Sequence, residues 1–140
     1  MTKSRVYQEG FKMRKMIIIL GIYGVLVTGL VFAQSVDDFD AWMRTIDEKN
    51  QSVQRNIAAK NADAATADAK EIQETFKLVE GFWAKRGNAS DAVELSQKAE
   101  QQAAQVVKSA TAKDYDAAST LAINIAQTCT ACHRLYRPLS

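Results

Sequence analysis

Every thiol and the only imidazole in this 140-residue chain fall within five positions: Cys129, Thr130, Ala131, Cys132 and His133. On a helix, residues three and four apart share a face. Two thiols at i and i+3 can therefore reach one edge of a flat macrocycle and add across two vinyl groups as thioethers. An imidazole at i+4 follows on the same side, where a ring nitrogen can meet a central iron. C-x-x-C-H is the attachment signature of c-type haem, and His is a standard proximal iron ligand. Two other chemistries use a C-x-x-C pair. A redox disulfide of the thioredoxin kind needs a βαβ setting. A zinc site needs a second Cys or His pair to complete a tetrahedron, and the sequence has none to offer. With a single His, ligation of the iron by two histidines is excluded.

The opposite face of such an iron calls for another donor. Beyond residue 33 the chain contains one methionine, Met43. Its thioether could supply a His/Met pair, an electron-transfer arrangement that raises the reduction potential. The plain alternative is that Met43 fills a core gap, as methionines often do.

These residues need elements to hold them, and the pattern from residue 34 onward is helical throughout. Ala, Gln, Glu and Lys dominate, and Pro138 is the only proline. Ser35 and Asp38 form a capping box that starts a first helix near Val36. Its apolar stripe is Val36, Phe39, Met43, Ile46, Val53 and Ile57, with Asn50 as a polar residue on the seam. Asn61 and Asp63 cap a second helix with the stripe Ala65, Ala69, Ile72, Phe76, Val79 and Trp83, stopped by Gly87. Asn88 and Ser90 are the cap candidates for a third, with Val93, Ser96, Ala99, Ala103, Val106 and Ala110. Its small residues allow a close neighbour or a bulky insert. Asp114 caps the fourth, which presents Ala118, Leu121, Ile125, Cys129, Cys132 and Tyr136 and ends at Pro138 or with the chain. No useful stretch alternates with period two. The expected fold is all-α, an antiparallel four-helix bundle over 34–140.

Residues 1–33 read differently. Lys12, Arg14 and Lys15 precede an uncharged run from Met16 to Phe32, and Val31-Phe32-Ala33 ends it. That order is the pattern of a secretory signal peptide cleaved after Ala33. The alternative is an uncleaved anchor helix, with residues 16–32 at the short limit for a membrane span. The segment carries five basic residues and one acid. Without it the balance moves from +2 to thirteen basic against fifteen acidic residues, or −2. No clustered Lys and Arg remain to suggest a nucleic-acid partner. Export to the periplasm agrees with haem attachment, which takes place outside the cytoplasm; the anchored form would face the same side.

With C-x-x-C-H near the end of the last of four helices, followed by Leu135-Tyr136-Arg137, the sequence resembles the cytochrome c prime family, including its low-spin, Met-ligated members. The resemblance spans residues 34–140 as architecture and the last dozen residues as a motif. It implies one covalent haem c on Cys129 and Cys132, with His133 on the iron. It implies that Arg137 can pair with a haem propionate. It places the distal position on the first helix, where Met43 followed by Arg44 is similar to the low-spin members. High-spin members carry an apolar residue there, and Ile46 is the alternative occupant. Of the aromatic residues, Phe76 and Tyr136 are the expected pocket walls, while Phe39, Trp42, Phe82 and Trp83 are expected in the core or at a dimer surface. Asn88-Ala89-Ser90 matches a glycosylation sequon and is read as cap chemistry instead.

The expected function is electron transfer with redox partner proteins, without enzymatic chemistry, since no acid, base and nucleophile constellation is visible. The alternatives are a five-coordinate protein that binds nitric oxide or carbon monoxide, and a membrane-anchored haem subunit of an electron-transfer complex. A homodimer is a further expectation, through apolar surface on the first two helices.

Overall fold

The computed structural model describes residues 36–136, and the proposed leader at 1–33, Ser35, Arg137 and Pro138 lie outside them. Four helices of similar length follow one another: α1 Val36–Ala58, α2 Ala62–Ala84, α3 Ser90–Thr111 and α4 Tyr115–Tyr136. There is no strand among the described residues, and none of these helices is long and apolar enough to cross a membrane. Each helix packs on the next, and α4 returns to pack on α1. Short connections and this closed circuit make an antiparallel four-helix bundle.

The seams explain the packing. α1 buries Ile46, Asn50, Val53 and Ile57, and α2 buries Ala65, Ala69, Ile72, Phe76, Val79 and Phe82. α3 contributes small residues, Ala92, Ser96, Ala99, Ala103 and Ala110, around Val106. The largest wholly enclosed side chains are Ile72, Ile125, Val53 and Val106. Buried hydroxyls on these seams stay satisfied by bonding back one turn, as when Ser96 Oγ donates to the Ala92 carbonyl at 2.7 Å and Thr75 Oγ1 to the Glu71 carbonyl at 2.7 Å.

Two edges of the expected stripes are corrected. Val36 is 61% exposed, and the stripe of α1 begins to pack on the core at Phe39. On α3, Ala92 rather than Val93 is the first buried residue, four positions before Ser96, while the rest of the expected stripe is buried unchanged.

The caps divide similarly. Asn61 accepts a hydrogen bond from the Ala64 amide, and Asp114 Oδ1 accepts one from the Ala117 amide, both as expected. Neither Asn88 nor Ser90 caps α3: Ala89 occupies the position without a side-chain cap bond. Ala89 is buried instead, and Asp91 Oδ1 accepts the Ala92 amide. Gly87 has φ +72° but lies three residues past the end of α2, within the loop to α3, so it bends the loop and does not stop the helix. α1 and α3 end in left-handed lysines, Lys60 at φ 56° and Lys113 at φ 60°. In each, paired bonds close the end: Lys60 N to Ile57 O with Asn61 N to Asn56 O, and Lys113 N to Ala110 O with Asp114 N to Ser109 O. This is the Schellman pattern built without glycine.

Candidate functional site

The five-residue motif occupies the last two turns of α4. At about 100° per residue, Cys132, His133 and Tyr136 fall at about −60°, +40° and −20° from Cys129, a single stripe. The stripe runs out of the core as it goes. Cys129 packs against the hydrophobic cluster, Cys132 is half-buried, and His133 is exposed. Both cysteines are free thiols. Burial pushes the Cys129 thiol up to about 11, with the charges of Cys132 and Asp47 adding to it. Burial also raises Cys132, helped by the charge of Asp91. Burial therefore disfavours the thiolate form of both sulfurs.

The influence of Asp47 on Cys129 puts the middle of α1 beside the motif. Met43 lies one turn before Asp47, half-buried and packed against the same core cluster as Cys129. The α1–α4 seam that carries them is the most sparsely packed of the four. Phe76 is a core residue of α2 in that cluster, wedged among the aliphatic side chains of the bundle interior.

Phe39, Trp42, Phe82 and Trp83 pack in or against the core, as expected, and together with Tyr136 they form one aromatic cluster. Phe39 stacks on Phe82 with ring centres 4.2 Å apart, and its edge meets Trp83 at 5.5 Å. Trp42 meets Phe82 at 6.5 Å, and Trp83 meets Tyr136 at 4.6 Å. The Arg86 guanidinium lies 3.8 Å above the Phe82 ring, a cation–π contact. The cluster thus joins the start of α1, the end of α2 and the end of α4 at the motif end of the bundle. The Tyr136 hydroxyl donates to Asp91 Oδ1 in the first turn of α3, so all four helices meet there. The Trp83 indole N–H is buried without a hydrogen-bond acceptor among the described residues. Sequence periodicity put only Trp83 of the α2 pair on the seam. Phe82, one position earlier, is the buried member of the pair and Trp83 is partly buried, because two neighbouring aromatics can flank the start of α1.

A separate open groove of about 300 Å³ lies between α3 and α4, lined by Leu95, Lys98, Gln102, Asn124, Gln127, Thr128 and Ala131. Of its α4 residues, Asn124, Gln127 and Ala131 lie on the side of the helix away from Cys129, and Thr128 borders the Cys132 side. Among the described residues no three or more His, Cys, Asp and Glu side chains gather to hold a metal ion. The motif offers two thiols and one imidazole, a set suited to tethering a cofactor that brings most of its own metal ligands.

No family model matches the chain, no curated protein matches it, and no solved structure matches it.

Proposed function

We propose that the protein is a mono-haem c-type cytochrome of the cytochrome c prime kind, exported to the periplasm and acting as an electron carrier. The observation that carries this reading is the pair of free thiols and the imidazole on one stripe of α4 at the end of a four-helix bundle. Two features of the surroundings fit a bulky planar group. The α1–α4 seam is the most sparsely packed. The buried Trp83 N–H lacks an acceptor, a deficit of about 1–3 kcal/mol that an acidic group on a cofactor would relieve.

Each residue then has a role. Cys129 and Cys132 would tether the group through thioethers, and His133 would ligate the iron. Met43, on the neighbouring helix, is the candidate for the second axial position. Arg137 lies outside the described residues and keeps the role of propionate partner that the family resemblance implies. Bound haem supplies one-electron chemistry between ferric and ferrous states. The protein's own task is to fix the ligands and exclude water, which a bundle of rigid helices does with little rearrangement. Cleavage after Ala33, rather than retention of residues 16–32 as an anchor, belongs to the same proposal.

The test is an optical spectrum of the exported protein, oxidised and reduced, with and without carbon monoxide. A low-spin spectrum indifferent to carbon monoxide supports the electron carrier. A high-spin spectrum with ready carbon monoxide binding makes it a gas-binding protein and returns Met43 to the core. Absence of haem bands after expression with a working attachment pathway overturns the reading.

A further inference from the structure

The final turn of α4 is largely open to solvent. His133, Arg134 and Leu135 are exposed, Leu135 by 60%, and the last turn of any helix leaves carbonyls without intrahelical partners. An end of this kind frays. Yet the residue after Leu135 is fixed at two points. The Tyr136 ring lies against Trp83 of α2 at 4.6 Å, and its hydroxyl donates to Asp91 Oδ1 of α3. Asp91 is itself anchored, since the same Oδ1 accepts the Ala92 amide at 3.0 Å. It also stands in the first turn of its helix, where the helix dipole favours a negative charge. The acceptor is therefore a carboxylate oriented by its own helix, and bonds to carboxylates belong to the stronger class of hydrogen bond.

We propose that Tyr136 and Asp91 form a clasp that positions the terminal turn of α4, and through it the His133 imidazole. Tyr136 is a positioning residue three places beyond His133 on the same stripe. Fixing its ring on α2 and its hydroxyl on α3 fixes the rotation of the last turn about the α4 axis. That rotation sets the direction in which His133 leaves the helix. The proposal rests on the cytochrome reading for the importance of His133, but the clasp itself is a property of this chain with or without a cofactor.

Two variants separate the parts. Tyr136→Phe keeps the ring on Trp83 and removes only the hydroxyl. Asp91→Asn keeps an acceptor oxygen and removes the charge. Amide hydrogen exchange, measured on the protein as purified, reads the clasp directly. Tyr136→Phe is expected to speed exchange at residues 133–136 by about tenfold, the loss of one bond to a charged partner, and to leave the centre of α4 around Ile125 unchanged. Asp91→Asn is expected to give a smaller increase. In the haem-loaded protein, the axial-ligand bands of Tyr136→Phe are expected to broaden or gain a high-spin component. Unchanged exchange at 133–136 in Tyr136→Phe overturns the clasp. Faster exchange with an unaltered haem spectrum overturns its positioning of His133. A protein without haem sinks the cytochrome reading while the exchange result still decides the clasp.

Discussion

At the scale of single residues, the motif chemistry depends on thiols that the folded chain protects. Burial lifts Cys129 from an ordinary 9.0 to about 11, which lowers its thiolate fraction near neutral pH about a hundredfold, and the thiolate is the nucleophile. The haem-free folded chain should accordingly react with iodoacetamide at Cys129 about a hundred times more slowly than in denaturant. Rapid labelling of both cysteines in the native state would contradict the burial argument. Met43 makes a different prediction. In the haem-loaded protein, Met43→Ala should convert a low-spin spectrum to one that binds carbon monoxide. If Met43 is only packed between helices, the variant loses about 1–2 kcal/mol of stability, less than a fully buried truncation, and the spectrum does not move. The motif and Met43 were visible from residue types and spacing. The meeting of Phe39, Trp42, Phe82, Trp83 and Tyr136 was not, because it joins three helices whose mutual register no local pattern encodes.

At the scale of elements, the four helices were legible because apolar residues recur in steps of three and four along every one of them. Their ends were less so. Asn61 and Asp114 carry side-chain acceptors and could be named as caps. Ala89 has no such acceptor, so the start of α3 rests on burial of that alanine instead. The left-handed ends at Lys60 and Lys113 gave no signal, since glycine is the residue that normally marks them. A lysine with φ 56° carries the strain of a Cβ in the left-handed region, about 1–2 kcal/mol. Lys60→Gly should therefore stabilise the bundle by about 0.5–1 kcal/mol after the greater chain entropy of glycine is deducted. The Tyr115 hydroxyl bond to the Lys60 carbonyl, at 2.9 Å, involves backbone and survives the change. Urea unfolding of the two proteins measures the difference, and an unchanged or lower midpoint would show that the Lys60 side chain earns its place some other way.

At the scale of the whole molecule, stability and site occupy different ends of the bundle. The aromatic cluster and the motif share one end, whereas the α1–α2 seam carries a polar network in the other half. Lys49 Nζ donates to Asp68 Oδ1 at 3.1 Å and lies 2.7 Å from Glu71 Oε2, while Asn56 Nδ2 donates to Asp68 Oδ2 at 2.9 Å. The Asp68 side chain is only 12% exposed. Burial by itself would push its carboxyl up; hydrogen bonds from Ser52, Lys49 and Asn56 and the Lys49 charge outweigh that and hold it below its ordinary 3.8. A carboxyl whose folded value is depressed contributes stability that is complete above the unfolded value and is lost as pH falls through the folded one. Asp68→Asn should thus cost about 1–3 kcal/mol at pH 7, the range for a hydrogen-bonded charged group. As pH falls below 3.8 the unfolded chain takes up a proton that the folded Asp68 carboxyl still resists, so the gap between wild type and variant should start to shrink there and close once pH has passed the lowered folded value. Thermal unfolding across that pH range reads the convergence. The same variant should leave any haem spectrum unchanged, since Asp68 and the motif share no contact partner named above. A variant that unfolds at the same temperature as wild type at pH 7 would mean that the network merely compensates its own desolvation. A shifted spectrum would mean that strain from the α1–α2 seam reaches Met43 along α1, and that the two ends of the bundle are coupled.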